Sequence, residues 1–147
     1  MPSIEGYTVP SQAEARQFAE QCATRIAAGG AGGSAELLQN YDGLYYLHHA
    51  SGTYKGTPFA QASESLYEDF NSFQKEVIER NIGGAFQAGG SCCVKKVEKG
   101  KHGQIATLEI SGQLAGRDTT VLVDLSLVKD ADGKIVIYRV GQSLGDR

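Results

Sequence analysis

The sequence predicts an α+β fold with helices packed on one face of a curved antiparallel sheet, and three observations predict it. Apolar residues recur at helical spacing through the first half of the chain, the period changes from 3.6 to 2 from Ser91 onward, and turn residues divide that second part into a four-strand meander.

The first helix opens on Ser11, Gln12, Ala13, Glu14, a capping box after Pro10. It continues through Ala15, Phe18, Ala19, Cys22 and Ile26 until Gly29. Gly29 to Gly33 read as a flexible connector, since no strand precedes them and no Walker lysine follows. Ser34 is a good N-cap for a short second helix through Leu37 and Leu38 to about Tyr41. Two short strands are expected next, around Leu44 to Ala50 and Thr53 to Gly56, with a turn at Ser51 and Gly52. Thr57 and Pro58 then start a third helix, with one apolar stripe through Phe59, Ala62, Leu66, Phe70, Phe73 and Val77. Unbroken to about Asn81, it would be roughly 36 Å long. Ile82 to Gly90 is expected to be a loop or flap over the fold.

Four strands follow, about Cys92 to Glu98, Gln104 to Leu114, Thr119 to Lys129 and Lys134 to Gln142, with turns at Gly100, at Ala115 and Gly116, and at Asp130 to Gly133. Alternation assigns Ala106, Leu108, Ile110, Val121, Val123, Leu125, Leu127, Val136, Tyr138, Val140 and Gln142 to a core face that receives the helices. The opposite face carries Thr107, Glu109, Leu122, Asp124, Ser126, Ile135, Ile137 and Arg139. With hairpins centred on their turns, Glu109, Asp124 and Arg139 form a charged row. That row is either a salt bridge at a surface or subunit interface, or an alternative acid/base site in which arginine holds a carboxylate.

Composition bounds the function. The chain has 147 residues, 41% of them hydrophobic, which fits one domain spanning 1–147 with one core. A formal net charge of -3 without a long basic run argues against nucleic acid as partner, and Lys95, Lys96, Lys99 and Lys101 read as a solvated hairpin tip. No apolar stretch approaches the roughly 20 residues of a membrane span, and Met1 to Pro10 has no secretory pattern, so a cytoplasmic protein is expected. Cys22, Cys92 and Cys93 are odd in number, with the adjacent pair on opposite faces of a strand, and read as free thiols. No metal site is expected: His48 and His49 diverge on a strand, and Asp130 to Gly133 lacks the downstream ligands of a calcium loop.

Chemistry concentrates between Tyr41 and Gly56, which holds two of the 3 histidines and four of the 7 tyrosines. Imidazole is the side chain that most readily exchanges a proton near neutral pH. On strand alternation His49 shares its side with Tyr45 and Leu47, Tyr46 and His48 point away, and Tyr41, Tyr138 and Gln142 face inward.

The order of elements, with Tyr41 and Asp42 leading to His49 and Gly116 and Arg117 leading to Gly133, Lys134, Ile135 and Val136, resembles the nuclear transport factor 2-like superfamily. The nearest pattern is its ketosteroid isomerase and SnoaL-like polyketide cyclase branch. The resemblance implies a cone-shaped curved sheet wrapped around three helices, a cystatin-like α+β roll with a pocket between helices and sheet. It further implies a homodimer through the outer sheet face and chemistry without cofactor or metal. On the isomerase pattern the general-base aspartate falls on His49, the oxyanion-binding tyrosine near Cys22, and the protonated aspartate at Leu125, so the steroid oxyanion hole is absent.

These readings give an enzyme that isomerises, cyclises or dehydrates an apolar oxygenated metabolite of polyketide or terpenoid type. His49 is the expected base, with Tyr45 and Tyr138 as catalytic phenols. Tyr41, Phe18, Cys22, Phe59, Tyr67, Leu125, Val140 and Gln142 are expected around the substrate. The competing expectation is a non-catalytic ligand-binding or assembly module of the same fold.

Overall fold

The computed structural model describes residues 2–29, 37–49, 52–80, 90–114 and 116–142, with Leu114 and Gln142 as backbone only. The elements are α1 (Gln12–Gly29), α2 (Leu44–His49), a hairpin of β1 (Thr53–Tyr54) and β2 (Thr57–Pro58), a 3-10 turn at Phe59–Gln61, α3 (Glu64–Ile78), and strands β3 (Ser91–Lys99), β4 (Gln104–Leu114), β5 (Arg117–Lys129) and β6 (Ile135–Gln142). The last four form one antiparallel sheet in the order β3-β4-β5-β6, so the fold is α+β with the expected meander. The Gly30 to Gly33 connector, the Ser34 cap and nearly all of the expected 82–90 flap lie outside the described residues.

α1 begins as its sequence dictates. The Glu14 amide donates to the Ser11 hydroxyl at 3.1 Å and the Ser11 amide donates to the Glu14 carboxylate at 3.0 Å, a reciprocal capping box. Its buried stripe of Ala15, Ala19, Cys22, Ala23 and Ile26 lies on Ala106, Leu108, Ile110, Val123, Leu125, Leu127 and Ile137 of the sheet. The three alanines let the helix sit close to the strands. Gln12 anchors its start by donating to the Val97 carbonyl at 2.6 Å.

The Glu14 carboxylate also takes the Lys129 ammonium at 2.9 Å. Hydrogen bonds from Lys129 first, and then from Ser11, lower its pKa from an ordinary 4.5 to about 2. A carboxylate with a depressed folded-state pKa stabilises the fold above its unfolded value, roughly 4.3, and that contribution disappears as pH falls through about 2. Between pH 5 and 2 the wild-type urea midpoint should therefore fall more steeply than that of Glu14→Gln; parallel curves would show that this carboxylate is not linked to folding.

Two bulges decide which side chains reach the core. In β3 the register slips between Val94 and Lys96, so Cys92, Val94 and then Val97, rather than Lys96, face α1, while Cys93 is exposed. In β6 it slips beside Tyr138: Leu127 pairs with Ile137, whereas Ser126 pairs with Arg139. Strict alternation had placed Val136 and Tyr138 in the core and Ile135 and Ile137 outside. The extra residue reverses this, burying Ile137 under α1 with Ile135 packed beside it, and sending Val136 and Tyr138 to the other face with Val128. Of the three apolar residues expected on the face opposite the core, Leu122, Ile135 and Ile137, the last two are thus removed from it.

The segment Leu44 to His49 is a helix, not a strand. Asp42 Oδ1 accepts from the Leu44 amide at 2.9 Å, and Leu44 and Leu47 bury one side of the turn. The hairpin is correspondingly later: Lys55 and Gly56 both take positive φ, 51° and 79°, as a tight two-residue turn requires. The third helix starts later as well. The Ser63 hydroxyl caps it by accepting from the Leu66 amide, so α3 is 15 residues long, and Phe59 and Ala62 belong to the turn before it.

Just before α2 the chain adds to the free edge of β6, where Ile137 donates to Asn40 at 2.7 Å and Asp42 donates to Ile137 at 2.9 Å. This parallel bridge at Tyr41 holds α2 against the face of the sheet remote from α1. The N-terminal arm joins it there, Thr8 exchanging two backbone bonds with Lys129 and Tyr7 packing on Val128, Val136 and Tyr138. Among the described residues, no helix is long and apolar enough to cross a membrane.

Candidate functional site

A cavity of about 260 Å³ opens where α2, the hairpin, α3 and β6 meet. Tyr41 and Tyr46 reach it from before and within α2, Thr53 and Tyr54 from β1, Phe59 from the 3-10 turn, Phe70 and Gln74 from α3, and Tyr138, Arg139 and Val140 from β6. Its walls are a ring cluster: Phe70 stacks parallel to Tyr46 with centroids 6.2 Å apart and meets Tyr54 and Phe59 edge-on at 5.3 and 5.7 Å.

The polar groups around this cavity divide into satisfied and open. Tyr54 donates to Asp69 at 2.9 Å, and Asp69 is neutralised by Lys55 at 2.7 Å. Burial first, then the charge on Asp42, pushes the Tyr41 phenol far above the ordinary range, so it stays protonated. The Arg139 guanidinium lies over the Tyr46 ring, 5.9 Å from its centroid, and no carboxylate among the described residues pairs with it.

His49 is not in this cavity. It is exposed at the end of α2, and the expectation that it projects inward is corrected, because helical rather than strand geometry sets its direction. The spacing of four residues still brings it to Tyr45, edge to face at 4.4 Å, and Tyr45 meets Tyr138 at 4.9 Å. A third member comes from the β3–β4 turn: the His102 ring stacks on His49 at 4.3 Å, and its carbonyl accepts from the Tyr45 hydroxyl at 3.0 Å. Partial desolvation of the stacked ring, then the charges of His102 and His48, lower the pKa of His49 below 6.5, leaving it neutral at pH 7. His48 points elsewhere, its Nε2 lying 2.9 Å from the Pro2 carbonyl.

The remaining expected residues scatter. Tyr41, Phe59 and Val140 line the aromatic cavity, as does Tyr138 between it and the histidine cluster. Cys22 and Leu125 are packed into the core beneath α1, so the space expected there for a substrate is filled. Phe18 lines a separate polar cleft with Gln17, Gln21 and Lys134. Tyr67 donates to Asp42 at 2.6 Å, fixing α3 to the start of α2. Only the backbone of Gln142 is described.

Nor do Glu109, Asp124 and Arg139 form a row. The β4–β5 register sets Thr107 opposite Asp124, to whose carboxylate the Thr107 hydroxyl donates at 2.7 Å, Glu109 stands opposite Leu122 and 4.0 Å from Lys95, and the β6 bulge displaces Arg139 to Ser126. The sequence reading missed Tyr46, Thr53, Tyr54, Phe70, Gln74 and His102 as site residues. Helical spacing of Tyr45 and His49 behind an Asp42, Gly43 start was the signal available for the α2 members. His102 had none, because its partner is 53 positions away.

Comparison with protein-family models, with curated proteins and with solved structures yields no match to this chain.

Proposed function

We propose that the protein is a small-molecule-binding domain whose ligand is an apolar, oxygen-bearing metabolite of polyketide or terpenoid type, held in the aromatic cavity. The carrying observation is the cavity itself: rings on several walls, with Thr53, Gln74 and Arg139 available to oxygen. Its 260 Å³ lies below the roughly 300–1,000 Å³ typical of drug-sized ligands, which suits a compact molecule. In this reading the sheet is one wall of a nuclear transport factor 2-like cone filled by α1, and the ligand enters on the opposite face, at the edge where β6 meets α2. A homodimer through the outer sheet face belongs to the same proposal, supported by Leu122; a monomeric sedimentation profile would remove it.

The binding reading is tested by titrating 2-tetralone and following the aromatic NMR signals of the protein. Saturable shifts are expected, and Thr53→Trp, which fills the cavity from an exposed strand position, should abolish them while leaving the melting temperature unchanged. Identical shifts in that variant would place the ligand elsewhere.

Proton transfer, as an isomerase, cyclase or dehydratase, is the second reading. It rests on a neutral imidazole at His49, outside the cavity but touching Tyr45, whose ring meets cavity-lining Tyr138, so the reacting carbon of the substrate would have to project past Tyr138. Its readout is deuterium exchange from solvent into the acidic C–H of 2-tetralone, which His49→Gln should slow by about 100-fold. Equal exchange in the variant and the wild type would end the catalytic assignment while leaving ligand binding in place.

A further inference from the structure

The geometry points to a ligand that carries a carboxylate, taken by Arg139 at the mouth of the aromatic cavity while its apolar body lies among Tyr46, Tyr54, Phe59 and Phe70. This inference rests on the binding reading above and names the chemical class of the ligand.

Three observations converge on it. First, the fold sets where Arg139, an exposed residue, rests: the bulge beside Tyr138 re-phases the end of β6, and the guanidinium lies over the ring of Tyr46, 5.9 Å from its centroid, that ring stacking in parallel with Phe70. A planar guanidinium resting on a ring keeps its in-plane N–H donors free, the geometry that receives a carboxylate by two parallel bonds.

Second, Arg139 stands outside the ion pairs at the cavity. Lys55 and Asp69, which flank Tyr54, neutralise each other at 2.7 Å, and no carboxylate among the described residues takes the charge of Arg139. Arg139 is thus the cation at the cavity that no ion pair takes, while the nearby Asp42 carboxylate lies beside Tyr41 and is held by the Leu44 amide and the Tyr67 hydroxyl. A cage of tyrosines and phenylalanines is otherwise suited to a quaternary ammonium, but here the cation already stacked on Tyr46 repels a second one.

Third, the remaining lining offers no competing anion. Tyr41 is held protonated by burial and by Asp42. Tyr138 is likewise raised, by burial and then Tyr45, with Ser126 and Arg139 opposing. Both phenols are neutral at pH 7 and so do not repel an anionic ligand.

The test uses the full chain with three probes of one shape: 3-phenylpropionate, 3-phenylpropan-1-ol and 3-phenylpropylamine, titrated by calorimetry or tyrosine fluorescence. The acid should bind at least about tenfold more tightly than the alcohol, and the amine more weakly than either. Arg139→Gln should weaken the acid far more than the alcohol, removing most of the acid's advantage, and Arg139→Lys should keep part of the preference. The preference should also shrink as pH falls through the probe's own carboxyl pKa. If acid and alcohol bind wild type equally and Thr53→Trp blocks both, the carboxylate inference fails and the cavity reading stands. Undiminished preference in Arg139→Gln also overturns it, by placing the anion on another group. If no probe binds, the inference fails together with the reading on which it rests.

Discussion

Replacing Phe70 by alanine is expected to lower the unfolding free energy by about 3–5 kcal/mol, the largest single loss among the residues of the cavity. The ring is 4% exposed and meets Tyr46, Tyr54 and Phe59, joining α2, the hairpin and the 3-10 turn to α3. Removing it leaves a void that three separate elements would have to move to fill, and such voids relax only partly. Phe73, three residues on, is the internal control: it is 45% exposed and, among the described residues, its ring pairs with Tyr54 alone, so Phe73→Ala should cost about 1 kcal/mol or less. Urea denaturation of both variants decides the matter. Equal losses would mean that the cluster does not organise this end of the molecule, and ligand binding could not then depend on its packing.

The second large effect is expected at Asp42. One carboxylate oxygen accepts from the Leu44 amide at 2.9 Å and from the Tyr67 hydroxyl at 2.6 Å, so it starts α2 and ties it to α3 at once. Burial first, then this hydrogen bond, raises the Tyr67 phenol far above its ordinary range, which keeps it a donor. Asp42→Ala should cost about 2–4 kcal/mol, the loss of a cap added to that of a hydrogen bond with a charged acceptor. Asp42→Asn retains an acceptor and should recover much of it. Tyr67→Phe removes one bond only, and the double variant Asp42→Ala, Tyr67→Phe measures their coupling. Strict additivity would show that the two groups do not act together. Because α2 carries Tyr45, Tyr46 and His49, the loss should also appear as weakened binding in the cavity, through misplacement of the Tyr46 wall.

The histidine pair marks where local reading and folded arrangement diverge. Tyr45, Tyr46, Leu47, His48 and His49 combine aromatic and apolar side chains that suit a strand as well as a helix, and a six-residue segment is too short for periodicity to separate the two. What selects the helix is the Asp42 cap together with the burial of Leu44 and Leu47, the second in a cluster that includes Phe59 and Phe70. The pairing of Tyr45 with His49 survives this change because residues four apart on a helix share a side, as do alternate residues of a strand. The inward direction of His49 does not survive it.

By itself the sequence determined α1 with its Ser11 and Glu14 box, the four strands and their meander, and the core residues of β4 and β5, because each follows from contacts a few residues apart or from an unbroken period of two. Only the tertiary structure decided the bulge at Tyr138, and through it which of Ile137 and Tyr138 faces α1 and where Arg139 points. A bulge is chosen by competition among whole layers for the faces of a strand, here α1 on one side and α2 with Tyr7 on the other. That energy belongs to residues distant in the chain, and no local pattern around Tyr138 contains it.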